Sequence, residues 1–496
     1  MGESSVSTYI LALLPVLYLF YRWRFINLYH VPAIGPSAPV LSYFGARKFA
    51  RHAREMLKEG YEKYKGGVFK IATFERWLVV VNGPRMVEEL RKFPDDQVSF
   101  IDASEDMLHT SYTFGNFDND PFHINIIRAH LTRHIASVFH DIRDEIVAAY
   151  NDFIAPSDDW TPIYVLPIMQ NVVARVCSRV FVGLPLCRNK EYLDLSIKHT
   201  GQVMKTKDFL NQWPEFLQPV AGYFVDESRQ SVKQGLALLQ PTIEERMQKA
   251  KEIGDDGNEK PNDLLQWVTD VAQEKGKGVE DIVPMMLATN FAAIHTTSNS
   301  FTHAIYNLAA YPEYLKPLRE EVEAVVKEEG WTKAAMQKMK KLDSFMRESQ
   351  RMSGLGGLTL MRKTIKPITL STGHRIPPGQ IIVATASAMH RNEDHYPNPE
   401  VFDPFRFSNM REGDVGETTK HQFVSTSTDY IAFGHGKHAC PGRFFAANEL
   451  KAMLAHTILS YDMKFEKEGV RPEDLWVGES CVPNPLTPVL FRKRRA

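Results

Sequence analysis

Cysteine is scarce in this chain: four occur in 496 residues (Cys177, Cys187, Cys440 and Cys481), and none stands in C-x-x-C spacing. That excludes a disulfide scaffold and a zinc-finger-type cluster, and it fits a reducing compartment. An excess of one charge is also missing. With 59 Lys and Arg against 60 Asp and Glu, the formal net charge is -1, so no basic field recommends nucleic acid as a partner. No Ser/Gly-rich linker, repeat or low-complexity tract divides the chain after its first few dozen residues, which argues for a single large domain over residues 46–496. No flavin or nicotinamide fingerprint is present, so a redox reaction here would draw its electrons from a separate protein.

The N-terminal apolar run, residues 9–21 (YILALLPVLYLFY), is interrupted by Pro15 and is followed at once by Arg22 and Arg24. It is shorter than the roughly 20 residues of a full span, and a tilt or a thinned bilayer would accommodate it. Positive charge after the apolar core excludes a cleavable signal peptide and places the following chain on the cytoplasmic side. Residues 1–24 therefore read as a membrane anchor, with a buried core helix as the alternative. Val6 argues against myristoylation. Pro32, Pro36 and Pro39 then give a stiff elbow over 25–45. Residues 67–81 (GVFKIATFERWLVVV) read as two strands around a turn, and most later segments carry helical periodicity. The expected fold is mainly α with a small β-sheet region.

Residues 433–443 read FGHGKHACPGR and lead into an apolar helix expected over 443–461. A cysteine at a helix N-terminus can be held as thiolate by the dipole and the free N–H groups, which suits it to bind iron. Gly434, Gly436 and Gly442 permit tight backbone and close approach of a flat macrocycle. Phe433 is placed to cover the sulfur, and His438 to reach a propionate. The bland alternative for Cys440 is a buried structural thiol.

The run F-G-x-G-x-H-x-C-P-G resembles the haem signature of the cytochrome P450 superfamily. The resemblance implies haem b held by Cys440, with oxygen activation favoured by the thiolate. A second element is AAIHTT at 292–297, inside an apolar helix expected over 283–310. There Thr296 is suited to bond back to the carbonyl four residues earlier and to hand protons toward bound oxygen. The superfamily's usual glycine and acidic residue are replaced by Ala293 and His295. His295 is read as a stand-in for the acid in the proton path, against a purely structural histidine. The same variation resembles fungal secondary-metabolite members of the ent-kaurene oxidase-like type.

Glu348 and Arg351 fall at i and i+3 on one helix face, and the resemblance supplies Arg406, in DPFRF, as third member of a folding and haem-loading lock. It also implies Arg128, His438 and Arg362 as propionate contacts, with Ile124 where the family usually carries tryptophan. Distal walls would come from 100–122, 206–224, 291–297, 355–360 and 483–486, rich in Phe, Leu and Met. Gly354, Gly356 and Gly357 are read as making room for a polycyclic skeleton, or as merely shaping a turn. The expected activity is a membrane-bound monooxygenase in the endoplasmic reticulum membrane. It would take O2, a bulky lipophile such as a diterpene, and electrons from NADPH through a cytochrome P450 reductase, with Lys437 and Arg443 helping to dock that partner. Alternatives are a haem-thiolate isomerase or dehydratase, a steroid, alkaloid or polyketide substrate, or a haem-binding sensor.

Overall fold

The computed structural model describes residues 13–18, 28–38, 40–115, 120–155, 157–213, 217–225, 227–253, 260–412 and 417–495. Of the proposed anchor only 13–18 falls within them, as exposed helix, while Arg22, Arg24 and Pro39 lie outside. Among the described residues no helix is long and apolar enough to cross a membrane.

The two strands expected within 67–81 are Val68–Ala72 and Trp77–Val81, paired antiparallel from Val68 with Val81 to Ala72 with Trp77. Thr73 makes the turn, its hydroxyl donating to the Arg76 carbonyl at 2.9 Å and accepting from the Arg76 N–H at 3.1 Å. Both strands are buried along their whole length, as is Ile381–Thr385, which joins Trp77–Val81 in parallel. Burial on both faces explains why they read as continuous apolar runs instead of alternating ones. The six-stranded sheet is completed by Leu358–Thr364, Val98–Ser99 and, at its other edge, Ala33–Ile34.

Part of the segment read as a stiff elbow, 25–45, packs at that edge. Ala33–Ile34 pairs with Lys70 and Ile71, Leu28, Val31 and Ile34 are buried, and the Lys70 ammonium donates to the Leu28 carbonyl at 2.8 Å. The prolines stop helix formation, but the segment is docked on the sheet.

The main core lies among the helices Thr132–Phe153, Val165–Phe181, Lys190–Leu210, Val279–Ala310 and Arg443–Ser460. The long helix Val279–Ala310 starts four residues before its expected first residue. Asp281 accepts from the Gly278 N–H at 3.0 Å, and Glu280 and Asp281 complement the positive end of the helix. From Phe301 to Ala310 every residue is buried, as befits a helix surrounded by others. The helix after Cys440 runs Arg443–Ser460, and Tyr461 already belongs to the strand Tyr461–Lys464.

Among the described residues, buried Glu449 has no cation. Glu449, 0 % exposed, accepts from the Cys177 thiol at 3.4 and 3.5 Å, and burial pushes its pKa up to about 8. Folded protein therefore keeps this proton up to about pH 8, whereas the unfolded chain releases it in the ordinary carboxylate range near 4.3. Between those limits the folded state binds the extra proton, so the contribution of Glu449 to stability falls as pH rises and levels off above about 8. Glu449→Gln removes that penalty. The Tm difference, variant minus wild type, is expected to grow from about pH 5 to about pH 8 in a thermal melt series and then to flatten.

Candidate functional site

The turn 433–443 is held by its own backbone. Cys440 N–H donates to the Phe433 carbonyl at 2.8 Å, and Gly434 N–H to the Ile431 carbonyl at 2.9 Å. Gly434 and Gly436 sit at φ +69° and +77°, a region closed to most side chains. Gly436 has a second reason to be glycine, since a Cβ there would lie 2.2 Å from Arg91 Cγ. The Cys440 residue keeps part of its surface accessible although its surroundings are deep in the protein. Burial pushes its thiol up, opposed by the N–H groups of Gly442 and Arg443 aimed at the sulfur and by the Arg443 guanidinium. Those N–H groups open the helix Arg443–Ser460, so the sulfur occupies an anion position at a helix start. Phe433 stands edge-on to Phe423, ring centroids 5.4 Å apart.

On the long helix, Thr296 Oγ1 donates to the Ala292 carbonyl at 2.7 Å and reaches Ala293 at 3.3 Å, the back-bonded geometry expected. Ala292 and Thr296 are exposed although Ile294, Thr297 and Ser298 between and beside them are buried. A bare strip one turn long in a core helix borders an open space, the kind of cradle a flat cofactor and its substrate require. The structure turns His295 away from the relay role. Its Nε2 donates to the Ile197 carbonyl at 3.0 Å, and its Nδ1 accepts from the Gln170 amide at 3.3 Å. Both nitrogens are engaged with the neighbouring helices, and burial lowers the pKa, so the ring is neutral.

The three cations expected at propionates are placed differently from one another. Arg362, 4 % exposed, donates to the Met361 carbonyl at 2.7 Å and lies 5.8 Å over the Phe100 ring, with no ion pair among the described residues. Burial pulls its pKa down to about 10. A buried guanidinium without a carboxylate is an unfilled anion site. His438 stacks on Phe100, centroids 6.0 Å apart, and binds Asp95 at 2.7 Å, so its ring already has a carboxylate. Arg128 is exposed on the π-turn Ile127–Leu131, 3.4 Å from Asn125 Oδ1. That turn packs on the cysteine loop, since a Cβ on Gly442 would lie 3.8 Å from Ile127 Cγ2.

The charge lock is fully formed. Glu348 receives Arg351 Nε at 2.7 Å and the second nitrogen of the fork at 2.8 Å, and Arg406 Nε at 3.2 Å. Side-chain exposures are 0 % for Glu348 and Arg351 and 9 % for Arg406. The remaining N–H groups cap carbonyls of His390 and Pro399 for Arg351, and of Pro397 and Val401 for Arg406. A neighbouring buried pair, Lys451 to Asp343 at 2.8 Å, ties the same helix, Lys340–Met352, to the helix that follows Cys440.

Of the two readings of the glycines at 354–357, Gly356 and Gly357 follow the one in which they shape the backbone. A Cβ on Gly356 would lie 2.6 Å from the Glu479 carbonyl oxygen, and one on Gly357 2.4 Å from Leu57 Cδ1. Gly357 N–H donates to that same Glu479 carbonyl at 2.7 Å. These residues let the backbone approach the hairpin Leu475–Val477/Ser480–Val482 closely. Gly356→Leu is expected to lower stability by about 1–3 kcal/mol through overpacking. Product distribution per folded molecule should stay unchanged, checked by thermal melts beside product analysis.

His303, Asp474 and Cys481 also gather, with ligand atoms within 4.8 Å of one another, a group that the spacing of the residues does not announce. A guanidinium already binds two of the three. Arg471 donates to Asp474 at 2.8 Å, His303 Nδ1 at 3.0 Å and Asn307 at 2.7 Å. Burial, with Asp474 adding to it, pushes the Cys481 thiol up to about 12. This knot keeps its cysteine protonated, opposite to what a metal-bound thiolate requires.

Comparison with known proteins matches residues 32–490 to the family model described as Cytochrome P450. The chain is 48 % identical over 497 residues to Cytochrome P450 monooxygenase 103 of the fungus Postia placenta, covering 100 % of this chain and 99 % of that one. It is 47 % identical to monooxygenase 151 of the same fungus over 483 residues, 96 % of each chain. A cytochrome P450 monooxygenase of Ganoderma lucidum is 38 % identical over 476 residues, 95 % of this chain and 93 % of that one.

Proposed function

Because this chain belongs to the cytochrome P450 monooxygenases, whose haem is held by a cysteine thiolate, we propose that Cys440 is that ligand and that the enzyme oxygenates a bulky lipophile of terpenoid, diterpene-like type. The observation that carries the assignment is the Cys440 sulfur at the N–H groups of Gly442 and Arg443, in a turn that two positive-φ glycines keep narrow. Bound haem supplies activation of O2 and accepts electrons one at a time. Everything else is the work of side chains. Gly434, Phe433 and Gly442 shape the seat. Arg362 offers the unpaired buried cation for a propionate, with Arg128 and His438 as further contacts, the latter exchanging or sharing Asp95.

Thr296 holds a proton at Oγ1, parked on the Ala292 carbonyl, and rotation of the hydroxyl would turn that proton toward the open strip. The lipophilic reading is supported by the aromatic pair Phe291 and Phe114, ring centroids 5.4 Å apart beside the strip. Electrons would come from NADPH through a reductase, with Lys437 and Arg443 near the docking face. The anchor at 9–21 would hold the enzyme on the endoplasmic reticulum with its catalytic domain in the cytoplasm. A place in fungal secondary metabolism belongs to the same proposal.

The test is turnover in a microsomal host co-expressing a reductase, fed diterpenes under isotopic dioxygen. One labelled oxygen atom per product and strict NADPH dependence are expected; unlabelled or reductase-independent product overturns the reading in favour of an isomerase. In the same assay Thr296→Ala is expected to cut product formed per NADPH by about tenfold. Substrate affinity should hold within about twofold, with stability changed by less than about 1 kcal/mol because the hydroxyl is exposed. Thr296→Ser should restore most of the coupling.

A further inference from the structure

We propose that His199 is a polar anchor in the substrate site, and that the substrate carries a hydroxyl or carbonyl oxygen, remote from the oxidised carbon, which this imidazole hydrogen-bonds. The proposal rests on the monooxygenase reading above and narrows it from a lipophile to an oxygenated one.

His199 lies on the helix Lys190–Leu210 and is 1 % exposed, yet neither ring nitrogen has a hydrogen-bond partner. Among the described residues it is the one buried histidine bare at both nitrogens. Two others in the core make bonds: His390 accepts from the Ile431 N–H at 3.1 Å, and His295 uses both its nitrogens. Burial without a charged neighbour lowers the His199 pKa to about 4, so the ring carries one N–H donor and one lone pair. That pair of functions matches an alcohol at either nitrogen and a ketone at the N–H. A neutral imidazole buried without partners is unfavourable in the empty protein, so its retention argues for a partner that arrives.

Its position fits a ligand that extends from the reaction centre. The His199 ring meets Phe114 edge-on at 5.3 Å, and Phe114 meets Phe291 edge-on at 5.4 Å. Phe291 directly precedes Ala292, whose carbonyl holds the Thr296 hydroxyl. A path of two aromatic rings thus joins the anchor to the bare strip. The same two helices carry further acceptors without partners. Thr200 Oγ1 is one, and Asn290 Oδ1 is another, the Asn290 amide nitrogen being engaged by Tyr192 and Ser196 at 3.0 and 3.2 Å.

The experiment uses haem-loaded wild type, H199L and H199Q, with dissociation constants measured without electron donor. The probes are matched lipophiles: abietatriene against dehydroabietinol, and cholestane against cholestanol. In wild type at least one alcohol should bind about tenfold or more tighter than its hydrocarbon. H199L should shrink that gap to about twofold or less while hydrocarbon binding holds, and H199Q, which keeps a donor and an acceptor, should retain part of it. In ligand-free protein the Tm of H199L should equal or exceed that of wild type, because an unpartnered polar group is gone; a fall would mark a packing role and overturn the proposal. Wild type that prefers no alcohol in either pair, or H199L that keeps the preference, also overturns it. The reduced carbon monoxide spectrum of the same samples reports Cys440 ligation separately, so an intact thiolate band with no alcohol preference counts against His199 alone.

Discussion

Cys440→Ser is expected to abolish turnover, by at least about a thousandfold, equivalent to about 4 kcal/mol of barrier, and to remove the thiolate signature from the reduced carbon monoxide spectrum. Serine keeps the size and the backbone, so the turn should still close through the Cys440 N–H to Phe433 and the Gly434 N–H to Ile431. What it lacks is a soft anion. A hydroxyl stays protonated at a place where the thiol is poised between burial, which raises its pKa, and the N–H groups of Gly442 and Arg443, which lower it. Haem content is expected to fall as well, since that anion would be the haem's tether. The decisive measurement is the spectrum on purified protein: a variant that kept a thiolate-type band would move the ligand elsewhere in the chain. Cys481→Ser makes the control. Its thiol is held protonated beside Asp474, so that variant should keep the band.

Glu348→Gln is expected to do comparable damage by a different route. The carboxylate is the one anion between Arg351 and Arg406, all three buried. Its loss leaves two guanidiniums facing each other across an amide. Removing one partner of a buried ion cluster costs about 3–5 kcal/mol, against a total stability of about 5–15 kcal/mol. The variant should accumulate poorly and carry little haem, read as soluble yield and as the haem-to-protein absorbance ratio. Arg351→Lys should fail similarly, because one ammonium cannot reproduce the fork that binds Glu348 and the carbonyls of His390 and Pro399. By contrast Lys65→Ala removes an exposed ion pair to Asp394 at 3.2 Å and should change stability by less than about 1 kcal/mol. If Glu348→Gln behaved like Lys65→Ala, the lock would be decorative.

The elements that read correctly from the chain are those whose cause is local. The strand pair within 67–81 follows from β-branched runs around a Thr-initiated turn, and the back-bond of Thr296 from its place inside a helix. The Glu348–Arg351 contact follows from i, i+3 spacing on one face. The errors lie where a distant partner decides. His295 is read as a stand-in because it occupies the position of the superfamily's usual acid, but its ring is bonded to the neighbouring helices through Gln170 and the Ile197 carbonyl. Gly356 announces a missing side chain without saying what fills the space, and the answer, the Glu479 carbonyl, lies more than a hundred positions on.

The sequence by itself determined the turn that presents Cys440, the mainly helical build and the first two members of the charge lock, because propensity, periodicity and short spacings act within a few residues. Only the tertiary structure decided that Asp95 holds His438 across 343 positions and that Arg362 makes no ion pair among the described residues, while it bore out the resemblance's placing of Arg406 on Glu348 across 58. It also decided that the His199 imidazole is buried without a partner. The physical reason is the same in each case: a charge or a polar hydrogen takes its meaning from the group packed against it, and that group is chosen by the fold.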